Sequence, residues 1–200
     1  MASVVSICNL ALSNIGKDNI STLNEASTEA RACNQFYEHV RDTMLQSFPW
    51  NFARKTAALA ETTNTKSKSW AYAYVLPNDC LKVMRVTDVM MMRKMPYSDG
   101  LIAGDHQYEI EGQIIYCNVD EAYLEYTQKF EDVSKFSPMF VEALGWALAV
   151  RLAMPLTRDP KIRAEAFQLY QRSEAMAQVY DANQVRHTSD YNSEFYDARQ

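Results

Sequence analysis

The sequence predicts an α+β fold: a helical bundle of two N-terminal and two C-terminal helices, an inserted small antiparallel β domain, and an extended C-terminal tail. Three observations predict it. Apolar residues recur at helical spacing as far as Pro49, at a period of two from about Trp70, and at helical spacing again after Ser137. Each flanking helix pair has an apolar face that it can bury only against the other pair, so the strand block is an insertion between them. The implied organisation is a helical bundle over 1–55 and 133–182, a β domain over 56–132, and an interaction arm over 183–200.

The elements follow in order. Ser3 caps a first helix whose Val4, Cys8, Ala11 and Ile15 share a face, and Gly16 stops it. After the polar link "KDNISTLNEAS", Ser27 or Thr28 starts a longer helix. It carries Cys33, Phe36, Tyr37, Val40, Met44 and Leu45 on one broad face and Arg31, Glu38 and Arg41 on the other. Pro49 ends it, because the residue before a proline is pushed out of the α region.

In "WAYAYVLP", Trp70, Tyr72, Tyr74 and Leu76 alternate onto one face, and "NDC" makes a turn. "LKVMRVTDV" is a second strand, "YEIEGQIIYC" a hairpin around Glu111-Gly112, and "AYLEYTQ" a further strand. Ser137-Pro138 and Asp159-Pro160 are each an N-cap with proline at the first helical position. The helix after Ser137 is apolar nearly all round and belongs at the centre of the bundle, not across a membrane, since Glu142 and Arg151 interrupt it. The last helix is expected to bury Ala166, Leu169, Met176 and Tyr180.

Composition narrows function. A formal charge of -5 argues against a protein whose main task is gripping nucleic-acid phosphates. Cys8, Cys33, Cys80 and Cys117 form no C-x-x-C pair, so reduced thiols in a reducing cytosol are expected rather than a disulfide framework. The start lacks the basic n-region of a signal peptide. His39, His106 and His187 lie on separate elements, with no metal-ligand spacing and no phosphate loop nearby. No catalytic constellation, metal site or cofactor site is expected.

Three features ask for a partner. Met90, Met91, Met92 and Met95, with Arg93 among them, either form an adaptable binding surface or fill the core of the small sheet. Tyr191, Phe195 and Tyr196 stand in a polar, aperiodic tail. They either anchor it in a neighbour, or dock back on the same chain, or belong to a disordered arm. Pro49, Trp50 and Phe52 crowd the exit of the second helix, where the aromatics cover the end of the bundle.

Taken in order, "FPWNFARKTAALA", "YAYVLPNDCLKVMRV" and "FSPMFVEALGWALAVRLAMPLTRDP" resemble the tail tubular protein A family, the head-to-tail adaptors of short-tailed bacteriophages. The resemblance runs from Ile7 to about Asp181. Its most specific pieces are P-W-N-F-A-x-K (Pro49 to Lys55) and Y-x-L-P-x-D-C (Tyr74 to Cys80). It implies a structural virion protein of the tail and neck, made in the host cytoplasm, with no catalysis, cofactor, metal or membrane.

Such subunits form a homo-oligomeric ring, a dodecamer, that joins the portal protein to the tail nozzle protein. Double-stranded DNA passes through the lumen without sequence-specific binding. On this view Pro49, Trp50 and Phe52 lock the junction between bundle and insertion. The methionine-rich segment and the aromatic tail then supply one side of the heterologous contacts that a ring requires. An acidic lumen wall would let the duplex slide. The competing expectations are another phage head-completion or connector protein, a small metal-dependent hydrolase, and a cellular helical binding module.

Overall fold

The computed structural model describes residues 2–88 and 106–184. Among them are four helices, α1 (Val4–Asn14), α2 (Thr28–Ser47), α3 (Pro138–Thr157) and α4 (Pro160–Ala182). The strands are β1 (Arg54–Ala58), β2 (Ala60–Glu61), β3 (Tyr72–Val75), β4 (Cys80–Thr87), β5 (Tyr108–Glu111), β6 (Ile114–Cys117) and β7 (Tyr123–Gln128). The chain is thus α+β, with a small antiparallel β domain inserted between two helix pairs. It forms two compact units. The helical unit takes Met1–Lys55, Asn78–Met84 and Tyr126–Asn183, and the strand unit takes Thr56–Pro77 and Arg85–Glu125.

Local signals set the helix ends. Ser3 and Ser6 cap α1 reciprocally: the Ser6 N–H donates to Ser3 Oγ at 3.1 Å, and the Ser3 N–H to Ser6 Oγ at 2.8 Å. At the other end Gly16 takes φ +68°, and the N–H groups of Gly16 and Lys17 reach back to the Ser13 and Leu12 carbonyls. That pattern closes the last turn, and the left-handed residue favours glycine. The polar link beyond it is held by Asn9, whose side chain both accepts from the Ile20 N–H (2.8 Å) and donates to its carbonyl (3.0 Å). Ser27, Ser137 and Asp159 each accept a backbone N–H at the start of α2, α3 and α4. Phe48, before Pro49, is extended and stops α2.

Helix α3 forms the centre of the helical unit. Phe140, Leu144, Leu148 and Leu152 are fully buried, as are Ala143, Ala149 and Ala153, and α1, α2 and α4 all pack against it. It is long and apolar enough to cross a membrane; half of that stretch is buried inside the protein, which accounts for its composition. Gly145 faces α1 so closely that a Cβ there would sit 2.7 Å from Leu10 Cδ2.

The exit of α2 completes this core. Trp50 is fully buried, and its Nε1–H donates to the Met44 carbonyl in the last turn of α2 at 2.8 Å. Its ring lies edge-on to Phe48 (5.0 Å) and Phe140 (4.8 Å), and Phe52 continues the cluster to Phe130, Phe136 and Phe140. Edge-to-face pairs at these separations add to the area that the rings bury. Next to it, Asp181 of α4 accepts from the Asn51 N–H at 2.9 Å, while Asn51 Nδ2 donates to the Asp181 carbonyl at 2.7 Å. Burial pushes the Asp181 carboxyl up from its usual range.

In the strand unit, β2, β3, β6 and β5 form an antiparallel sheet in that order, with Tyr72 and Tyr108 both opposite Cys117. The β5–β6 hairpin turns at Gly112-Gln113, one residue later than the Glu111-Gly112 position read from sequence. Gly112 takes φ +60° at the first turn position, where two-residue hairpins of this kind favour glycine. The tyrosine hydroxyls are tied down: Tyr74 donates to the Val119 carbonyl at 2.7 Å, and Tyr116 bonds Thr65 at 2.8 Å. Strands β1, β7 and β4 form a second, three-stranded sheet with β7 in the middle.

Four expectations need correction. Strands begin at Arg54, well before Trp70; β1 and β2 are short, Ala-rich and largely exposed, so they form through backbone pairing and show no alternation. Trp70 precedes its expected strand and lies half-buried, donating from Nε1 to Glu109 at 2.9 Å. Arg41 is buried, not on the outer face of α2; its Nε donates to Asp42 at 2.8 Å and its guanidinium lies over the Tyr37 ring. Leu169, Met176 and Tyr180 of α4 are exposed, because the small residues Ala166 and Ala177 make the buried contact.

Replacing Trp50 by Ala removes both the ring cluster and the Met44 hydrogen bond. It is expected to cost about 3–5 kcal/mol, a drop in Tm on the order of 10 °C. Trp50→Phe keeps the ring packing and should fall between the two. Thermal unfolding followed by near-UV circular dichroism checks both.

Candidate assembly interface

The two most specific sequence motifs meet in the helical unit. Lys55, the last residue of the first motif, places Nζ 2.8 Å from Asp79 Oδ2 of the second. Tyr126 donates its hydroxyl to the other oxygen, Oδ1, at 2.8 Å, and the Lys55 ammonium lies 5.9 Å from the Tyr126 ring centre. These three residues belong to the three segments that lead into or out of the strand unit, so the cluster latches those segments together. Burial opposes charge on Asp79, but Lys55 and Tyr126 outweigh it and hold the carboxyl below its usual range. Tyr126 moves the other way, pushed up by burial and by Asp79.

A Lys–Asp pair that is a third to nearly half exposed contributes little to stability by itself. Among the described residues no three His, Cys, Asp or Glu side chains come close enough to hold a metal ion. His106 Nε2 lies 3.8 Å from Asp88 Oδ2, too long for a hydrogen bond. Cys8 and Cys33 are free, fully buried and in contact with each other.

The surface of α4 is different. Leu169 (42% exposed), Met176 (51%), Val179 (61%) and Tyr180 (55%) leave large apolar side chains in solvent. Leu169, Met176 and Tyr180 are spaced i, i+7, i+11, which puts them in one row along the helix. The buried row, Ala166, Ala177 and Asp181, runs beside it. Ser173 lies between Leu169 and Met176 in this row, and large apolar side chains left exposed along a helix make it a candidate contact surface. Sequence reading found the row but took it for core; the clue lay in Ala166 and Ala177, which let α4 sit close on its small side.

A groove lies along the flank of the same helix. It encloses about 590 Å³ between α2, α3 and α4, with Val40, Met44, Met154 and Phe167 among its apolar walls and Arg151 and Arg163 as its charged groups.

Pro49, Trp50 and Phe52 are placed together at the end of α2, with Trp50 in the core and the other two half-buried. Met90, Met91, Met92, Arg93 and Met95, and Tyr191, Phe195 and Tyr196, lie outside the described residues.

The fold and this surface define a class: an α+β protein with a small inserted β domain, large apolar side chains exposed on α4 and, among the described residues, no cluster of metal-ligating side chains. The chain matches no protein-family model and no curated protein sequence.

The Asp79 latch has a testable pH signature. Its carboxyl is held low in the folded protein, so its contribution is present above the ordinary carboxylate range and is lost as pH falls through the lowered pKa. Asp79→Asn should destabilise by under about 1 kcal/mol at neutral pH, and the difference from wild type should close as pH falls through the lowered pKa of Asp79. Melting curves from neutral to acid pH give the comparison.

Proposed function

We propose that this chain is a structural virion subunit, the head-to-tail adaptor of a short-tailed bacteriophage. In this reading copies of it form a ring, expected to be dodecameric, between the portal protein and the tail nozzle protein, and double-stranded DNA passes through the lumen. The protein acts as a rigid spacer and seal in the virion neck and catalyses nothing.

The observation that carries this reading is the uncovered ridge of Leu169, Met176, Val179 and Tyr180 on a helix whose other side is anchored in a well-packed core. A ring repeats one heterologous contact, so each subunit must offer a surface that a neighbour covers. The resemblance of the Pro49–Lys55 and Tyr74–Cys80 motifs to the adaptor family supports the same reading, and so does the α+β fold with its insertion. The Lys55–Asp79–Tyr126 latch fits a part that must transmit load between its ends.

Native mass measurement and negative-stain imaging, on the protein alone and mixed with the portal of the same phage, test the proposal. A twelve-fold ring, free or formed on the portal, is the expected result. A monomer that ignores the portal contradicts it. The double variant Met176→Glu, Tyr180→Glu should abolish the ring while shifting stability by no more than about 0.5 kcal/mol, because both side chains are solvent-exposed in the subunit.

A further inference from the structure

The α2–α3–α4 groove has a chemistry that selects its occupant. Its walls are apolar, its charged groups are Arg151 and Arg163, and no carboxylate lines it. Phe167 and Met154, on its rim, are 46% and 39% exposed, so the groove offers uncovered apolar surface with positive charge beside it. A matching segment needs large apolar or aromatic side chains interleaved with acidic ones. The stretch Asp190–Asp197, "DYNSEFYD", has that composition: Tyr191, Phe195 and Tyr196 alternate with Asp190, Glu194 and Asp197, and it carries no basic residue.

We propose that Asp190–Asp197 of the same chain folds back along α4 and occupies this groove. Its aromatics fill the apolar trough, and its carboxylates pair with Arg151 and Arg163. The reach is sufficient. From the end of α4 back to Phe167 is roughly 22 Å at 1.5 Å per residue. The chain from Asn183 to Phe195 spans up to roughly 40 Å when extended, which leaves slack for the reversal at Asn183-Gln184. The segment's own chain is favoured over a second copy because a short tether presents it at an effective concentration on the order of millimolar. The groove differs from the Leu169–Met176–Tyr180 ridge, so the inference stands whether or not the protein forms a ring.

The experiment replaces Phe195 in the full-length chain with the photo-crosslinking residue p-benzoylphenylalanine. The dilute protein is irradiated, and cross-linked peptides are mapped separately in the monomer and dimer bands. The expected result is a link in the monomer band to groove residues such as Met154 or Phe167. Links to other parts of the chain, links confined to the dimer band, or no link at all overturn the proposal.

A charge-reversed pair, Arg151→Glu with Arg163→Glu, should lower the monomer-band yield by about tenfold, since facing like charges repel. Adding Asp190→Lys and Glu194→Lys should restore it. Unchanged yield in the Arg variant, with its circular dichroism spectrum and Tm intact, rejects the charge pairing and with it the assignment.

Discussion

Helix α3 buries half of its apolar stretch, and the packing of the helical unit follows from that constraint. Phe140, Leu144, Leu148 and Leu152, with Ala143, Ala149 and Ala153, form sides that must be enclosed, while Glu142, Arg151 and Met154 mark the side left to solvent. The enclosure comes from three helices and an aromatic plug. Gly145 lets α1 approach as far as Leu10. Trp50 seals the end where α2 stops, taking up a carbonyl of α2's last turn while its ring packs on Phe140. Two large aromatics and a tryptophan at a helix exit are therefore part of the core, not of an exposed loop.

Enclosing α3 has a consequence at the surface. Helix α4 makes its buried contact through Ala166 and Ala177, which keeps it close to the core and turns Leu169, Met176 and Tyr180 outward. Asp181 and Asn51 then fix its far end against the Trp50 turn, so the helix is not free to roll its large residues inward. Rotating α4 to hide the ridge would put the big side chains where only alanine fits, and overpacking of that kind typically costs about 1–3 kcal/mol. The exposed ridge is the stable state of the isolated subunit, and it gives a neighbouring molecule something to bury.

Much of this was legible in the sequence because the signals are local. Ser3, Ser137-Pro138, Asp159-Pro160, Gly16 and Gly112 act within one turn of chain, and each marks an element boundary to within a residue or so. The all-round apolarity of α3 told its central position. What failed depended on distant partners. Strand β1 exists because β7 pairs with it, and nothing in "RKTAA" announces that. Arg41 is buried because Asp42 and the Tyr37 ring receive its guanidinium. The outward turn of α4 reflects which of its sides is small, and a hydrophobic count ranks Leu169 above Ala166. The groove needs three helices at once, so neither Arg151 nor Arg163 stands out by its neighbours in the chain.

If the proposed ring forms, the α4 ridge is open in the free subunit and covered on assembly. Oxidative footprinting of Met176, by mild peroxide followed by peptide mass analysis, tests it most directly when done before and after mixing with the portal. Met176 is expected to oxidise readily in the free protein and to become strongly protected in the assembly. A Met176 already protected in the free monomer, or one that stays equally reactive in the assembled particle, would contradict it.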